Sequence, residues 1–370
     1  MNSSAARNLP LELPEYEKPN NALPLASFPV SMAFPPPWTS SSLALVALAL
    51  LTALVIRAML FSSKKWDPRG QHCFITGGSS GTGLALAVLL VQRGAHVSIV
   101  ARNGERLAKA LEMLEQHRQT SNQILKAYSF AVDSESGSAA ALNAASKLHE
   151  GRCPDALFLC AGASAPAFFV DQTEEALKAG MQMTYWAQAF TALAGTKEMV
   201  KQGVKGRIVF VSSVLAFFSI VGYSPYSPGK FALRGLAETL HSELKLYGIS
   251  IHIAFPATIY TPGYEEENKT KPKITLKIEE SDGGDSPEAV ATAILKGVQR
   301  GNFHITTGFL GELFRSSAAG ASPRPSYLLD IVYGLISFIG LPIWRHSVDS
   351  TVKAHQKEHR EYLRAQGLVA

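Results

Sequence analysis

Two kinds of apolar pattern divide this chain. Leu43–Phe61 is one apolar run, broken only by Thr52 and Arg57. From His72 to about residue 307, short β-branched runs alternate with longer stretches of helical period. The short runs fall near 72–76, 95–100, 126–132, 156–160, 207–212, 250–255 and 302–307. Helical patterns fill the gaps near 82–94, 103–118, 136–149, 174–202, 227–247 and 286–299. Strands alternating with helices predict an α/β fold, a parallel sheet with helices on both faces.

The segments outside this alternation carry their own signals. Residues 1–42 hold many Pro, Ser, Asn and Ala without a period, which predicts a disordered tail. Residues 43–61 come close to the roughly 20 apolar residues that span a bilayer, and Arg57 lies where it can snorkel. A buried core helix or a cleaved signal peptide would read similarly, but signal peptides seldom begin so far into a chain. Lys64, Lys65 and Arg69 follow the span, which by the positive-inside rule puts the main domain, residues 70–307, in the cytosol. Residues 308–326 read as a Gly/Ser/Ala/Pro linker. Residues 327–344 are apolar again but interrupted by Asp330, which suits a re-entrant or interfacial segment better than a second span. Residues 345–370 form a basic tail.

Composition narrows the function classes. The net charge of +5 is mild and its basic residues form no stripe interleaved with aromatics, so nucleic-acid binding is a poor reading. Cys73, Cys153 and Cys160 are odd in number and have no C-x-x-C spacing. They read as free thiols in a reducing compartment rather than as disulfides or a metal site.

After the first strand comes Thr76-Gly77-Gly78-Ser79-Ser80-Gly81-Thr82-Gly83, opening a helix. Gly77, Gly81 and Gly83 allow a tight turn with close backbone approach, and the helix start offers free N–H groups to a pyrophosphate. The second strand ends at Arg102, where an NAD enzyme usually carries an acid; a basic residue there accommodates the extra phosphate of NADP. Ser79, Ser80 and Arg106 can assist, so the pattern favours NADPH, with a solvated arginine at a helix start as the other reading. Asp133 ends the third strand and can accept from an adenine amino group or cap a helix.

The stretch Ser213 to Lys230 carries the candidate chemistry. Tyr226 and Lys230 stand four apart, on one face if helical. Ser213 follows a β-branched run and can hydrogen-bond a substrate carbonyl. Tyr226 can protonate that oxygen as hydride reaches carbon, and Lys230 as a nearby cation would lower the tyrosine pKa.

Taken together these motifs resemble the short-chain dehydrogenase/reductase family. T-G-x-x-x-G-x-G (Thr76–Gly83), C-A-G (Cys160–Gly162, where the family most often has N-A-G), Ser213, Tyr226, Lys230 and P-A-T-I-Y-T (Pro256–Thr261) occur in family order. The resemblance implies a Rossmann-like, doubly wound sheet of about seven strands and a Ser-Tyr-Lys set in which Lys230 also holds the nicotinamide ribose. It implies that Gly162 lets the chain pass close to the cofactor, that Thr261 bonds the nicotinamide carboxamide, and that a homodimer forms through the helices near 174–202 and 227–247. The family's fourth catalytic residue is an asparagine; Thr184 stands at that position here, so the water relay must be rebuilt or turnover is slower.

A narrower likeness lies in the lid, Thr261–Pro272, and in Val100–Asn103. They resemble a membrane-anchored group of the family, the 3-ketodihydrosphingosine reductases. That group implies NADPH-dependent reduction of a lipid ketone at the endoplasmic reticulum membrane. A steroid, retinoid or 3-ketoacyl reductase, and a non-catalytic NADPH-binding membrane protein, are the alternatives. Leu215–Phe218 with Ile220 and Val221 can line an alkyl channel or simply pack. Glu265, Glu266 and Glu267 can meet an ammonium on the substrate or form a solvated charge run.

Overall fold

The computed structural model describes Leu48, residues 65–280 and residues 283–369. The tail 1–42 and the apolar run 43–61 lie outside the described residues, apart from Leu48. Residues from 65 onward belong to one compact unit, Ser63–Ala370.

Its centre is a seven-stranded sheet. The strands are β1 (His72–Thr76), β2 (His96–Ala101), β3 (Leu125–Ser129), β4 (Ala156–Leu159), β5 (Arg207–Val211), β6 (Ser250–Phe255) and β7 (His304–Thr306). They pair in parallel in the order β3-β2-β1-β4-β5-β6-β7. Every residue of β1 and β4 is buried. A parallel strand covered on both faces must be apolar throughout, which is why these runs lack alternation.

Side-chain parity sorts the core into two layers. On one face Cys73, Ile75, Ile99 and Phe158 pack against helices α1 (Gly81–Gln92), α2 (Gly104–Gln116) and, further along the chain, Pro287–Gln299. On the other face Phe74, Leu157, Leu159 and Phe210 pack against α3 (Glu135–Ser146) and the helices Ala187–Gln202 and Ser227–Glu243. The strand order reverses between β1 and β4, and in doubly wound sheets the carboxyl ends at such a reversal are where ligands bind.

The pattern near 174–202 predicts one helix. The structure breaks it into α4 (Glu174–Met181), a π-helical turn at Gln182–Trp186, and α5 (Ala187–Gln202). After β5 come α6 (Ser227–Glu243), α7 (Pro262–Thr270), α8 (Lys273–Glu279) and α9 (Pro287–Gln299).

The C-terminal part departs most from the pattern. Residues 308–326, read as a linker, contain helix α10 (Gly308–Ser317), with Leu313, Phe314 and Arg315 buried. The apolar segment 327–344 is part of a longer helix, α11 (Tyr327–Ala354), which runs through Pro342. The basic tail is helical too: α12 (Gln356–Ala365) folds back, with Tyr362 donating to Asp171 at 2.5 Å and Phe168 packed on His359 and Tyr362.

Asp330 is not an interruption of α11 but its fastening. Its carboxylate is buried and accepts from Arg315 at 3.0 Å and Arg324 at 3.3 Å, while Arg315 also reaches Glu312 at 2.7 Å. Ser337 donates to the Leu313 carbonyl at 2.9 Å, and Trp344 packs edge-on against Phe218 and Phe314. Asp330, Ser337 and Val348 mark the inward stripe, while Leu328, Ile331, Leu335, Phe338, Ile339 and Ile343 face outward and are exposed.

Candidate active site

The turn after β1 is shaped by backbone proximity. Gly77 and Gly81 have φ of +67° and +54°, a region that disfavours any side chain. A Cβ on Gly83 would lie 2.3 Å from the Gly77 carbonyl oxygen, and one on Gly77 would lie 2.9 Å from the Ala161 nitrogen. The exit of strand β4 at Cys160 and Ala161 therefore presses against the turn, while a Cβ on the next residue, Gly162, would lie 3.2 Å from the Met183 carbonyl oxygen. Ser80 precedes α1 without a side-chain cap, unlike Asn103 before α2 and Ser134 before α3. The first N–H groups of α1 are left for an anion, so the turn fits a dinucleotide pyrophosphate. Gly78 is a constraint that the glycine pattern alone leaves out: a Cβ there would meet Ile99 at 2.7 Å.

Around this turn the remaining candidates assemble. Ser79 and Ser80 are partly exposed on it, and Arg102 and Arg106 are exposed at the end of β2 and the start of α2. Asp133 is exposed after β3, and its backbone carbonyl accepts from Gln182 at 2.6 Å; the helix cap there is Ser134, not Asp133. Thr261 lies against the turn, 3.1 Å from a Cβ on Gly81. Its hydroxyl accepts from the Tyr264 N–H at 3.1 Å and so starts α7.

Ser213, Tyr226 and Lys230 come together at the carboxyl end of β5 and the start of α6. Pro228 sits in the first turn of α6, where its missing N–H costs nothing. Tyr226 is half-buried and hydrogen-bonded with Ser213. Burial pushes its phenol above the ordinary range, the Glu267 carboxylate pushes it further, and the Ser213 contact pulls the other way. The expectation that Lys230 lowers this pKa is not met. Lys230 is buried, its Nζ donates to the Val211 carbonyl at 3.1 Å and lies 5.4 Å from the Tyr226 ring centre. Burial pushes the Lys230 ammonium down to about 8. The phenol thus keeps its proton at neutral pH, the form a proton donor needs.

Thr184 sits in the π turn and is buried. It donates to the Gly180 carbonyl at 2.6 Å, and a Cβ on Gly229 would fall 1.8 Å from its oxygen. Gly229→Ala should therefore cost about 1–3 kcal/mol by overpacking. Chemical denaturation would measure this, and adding Thr184→Ala should recover most of it. One turn on, Gln188 is a residue the motifs do not mark. Its buried carboxamide donates to the Val211 carbonyl at 2.8 Å and accepts from the Val211 N–H at 3.2 Å. It shares that carbonyl with Lys230 and so holds the strand end on which the ammonium rests. A carboxamide among the small residues of the helix's buried side, Ala187, Thr191, Ala192, Ala194 and Gly195, was the available signal.

The lid helices, α7 and α8, reach this site through Tyr223, whose ring lies 5.8 Å from that of Tyr226. Glu265 and Glu266 are exposed, whereas Glu267 turns inward. The Tyr223 hydroxyl lies 2.6 Å from Glu267 and 2.7 Å from Glu279, and the buried Lys271 ammonium lies 3.0 Å and 2.7 Å from the same two carboxylates. Within the apolar run after Ser213, two residues pack: Phe217 lies on Phe255, and Phe218 stacks on Phe314.

Comparison with known proteins agrees with this arrangement. The short chain dehydrogenase family matches residues 71–272. The 3-ketodihydrosphingosine reductase TSC10 of Cryptococcus neoformans is 41% identical over 86% of this chain and 97% of its own. The 3-ketodihydrosphingosine reductase gsl-3 of Neurospora crassa is 36% identical over 87% and 93%. A 3-ketodihydrosphingosine reductase of Bos taurus is 35% identical over 81% and 88%. With its parallel sheet, glycine turn and Ser-Tyr-Lys cluster in place, the chain belongs to the short-chain dehydrogenase/reductase family.

Proposed function

We propose that this protein reduces 3-ketodihydrosphingosine to dihydrosphingosine with NADPH. The observation that carries the reading is the convergence of Ser213, protonated Tyr226 and Lys230, in a chain similar to reductases of that ketone over most of its length. Gly77, Gly81, Gly83 and the start of α1 would hold the dinucleotide pyrophosphate, with Gly162 and Thr261 flanking its nicotinamide end. Ser79, Ser80, Arg102 and Arg106 would meet the phosphate that distinguishes NADPH from NADH, and Asp133 stands where an adenine amino group can donate. When bound, the reduced dinucleotide supplies the hydride. Ser213 hydrogen-bonds the carbonyl oxygen, Tyr226 transfers its proton to that oxygen, and Lys230 holds the ribose and the local positive charge. Thr184 supplies packing and a fixed backbone where the family asparagine stands.

Purified protein should consume NADPH with 3-ketodihydrosphingosine and far less NADH under the same conditions. No consumption with this ketone but turnover of a steroid would overturn the substrate assignment. A second expectation concerns pH. Lys230 is charged below its pKa of about 8 and neutral above it. If its charge is required, kcat/KM should be level on the acid side and fall as pH rises through 8, and Lys230→Met should flatten that limb.

The reading extends to the membrane. The outward face of α11 would lie on the endoplasmic reticulum bilayer with the catalytic unit on the cytosolic side, the run 43–61 serving as a further anchor. Trp186, Leu193 and Phe231, exposed on the central helices, suit pairing of two copies.

A further inference from the structure

The lid carries a charge arrangement that the reaction itself does not need. Glu267 and Glu279 share one positive partner, Lys271, so the cluster bears one excess negative charge. The Tyr223 hydroxyl faces both carboxylates at hydrogen-bond distance but has a single hydrogen to give. Both contacts to the Glu267 carboxylate fall on Oε1, and its Oε2 has no hydrogen-bond partner among the described residues, so that oxygen can still accept. The Tyr223 and Tyr226 rings are 5.8 Å apart, so the cluster is one aromatic ring away from the proton donor.

A ketone with an amine on the adjacent carbon brings its ammonium to within roughly 3 Å of the carbonyl oxygen, from bond lengths alone. When that oxygen sits at Ser213 and Tyr226, the ammonium must lie on one side of Tyr226 or the other. The lid side is the side that offers a free carboxylate oxygen and one excess negative charge. Of the three glutamates of α7, Glu267 alone turns inward; Glu266 instead pairs outside with Lys269 at 2.6 Å. Lys271 and Tyr223 hold Glu267 in place through its Oε1.

We propose that Glu267 is the counter-ion for the substrate ammonium and makes the enzyme prefer a 2-amino ketone over the same chain without its amine. This rests on the proposed reduction of 3-ketodihydrosphingosine, and the experiment separates the two. The measurement is kcat/KM for 3-ketodihydrosphingosine and for the corresponding long-chain hydroxy ketone without the amine, in wild type, Glu267→Gln and Glu279→Gln. Glu279 carries equal charge and also binds Tyr223 and Lys271, so its loss loosens the lid in the same way.

The expected result is a fall of about tenfold in the amino-to-neutral ratio in Glu267→Gln, or about 1.4 kcal/mol, carried by KM, with the Glu279→Gln ratio within about twofold of wild type. The wild-type ratio should also decline as the substrate amine loses its proton, and the Glu267→Gln ratio should not. An unchanged ratio in Glu267→Gln, or an equal fall in both variants, would overturn the assignment and leave the cluster as a lid latch. A wild-type enzyme inactive on both ketones would instead refute the proposed function.

Discussion

Replacing Tyr226 with phenylalanine should lower turnover by about 10²–10⁴-fold, the range a positioned general acid contributes. The ring stays the same size in a half-buried place, so the glycine turn and the start of α1 remain intact. Dinucleotide affinity, measured by fluorescence titration, should then stay near wild type. The test is sharp because burial and the Glu267 carboxylate keep the phenol protonated in the resting protein, so the hydroxyl is loaded before any substrate arrives. Turnover near that of wild type would refute the assignment of the proton.

Removing one carboxylate in the C-terminal part should have a comparably large effect on stability. Asp330→Ala would strip the buried Arg315 of its main partner. An uncompensated buried charge costs about 3–5 kcal/mol. Glu312 stays at 2.7 Å from Arg315, so the low end of that range is expected. The loss should be local: α11 should open to hydrogen exchange and protease while β1 and β4 stay protected. Asp330→Asn should be milder, since a carboxamide oxygen still accepts from the guanidinium. Unchanged protection of α11 in the alanine variant would show that its apolar contacts alone hold it.

These two sites differ in how far the sequence revealed them. Tyr226 and Lys230 are four residues apart, and their spacing is a local property of one helix. The strands of the sheet were readable for a similar reason, since both faces of β1 and β4 are covered and the runs are apolar throughout. Asp330 was read as a break in an apolar segment because its partner Arg315 lies fifteen residues away on another helix. A pairing across two elements leaves no period to read. The same limit applied to the lid, where Glu265, Glu266 and Glu267 are equivalent in sequence and only the fold turns one of them inward. It also applied to the acidity of Tyr226, which depends on burial and on Glu267 rather than on the neighbouring lysine. Helix α10 escaped because it is short, starts at Gly308 with φ of +75° and leads into a run of Ser, Ala, Gly and Pro that reads as a linker.

The π turn at Gln182–Trp186 has an evolutionary consequence. Such a turn is an α-helix carrying one inserted residue. Deleting a single residue there would restore regular winding and rotate everything before it by about 100°. Gln182 would swing off the Asp133 carbonyl, and the Thr184 hydroxyl would no longer face Gly229. The count of residues between Thr173 and Gln188 is therefore expected to resist insertion and deletion more than their identities resist exchange.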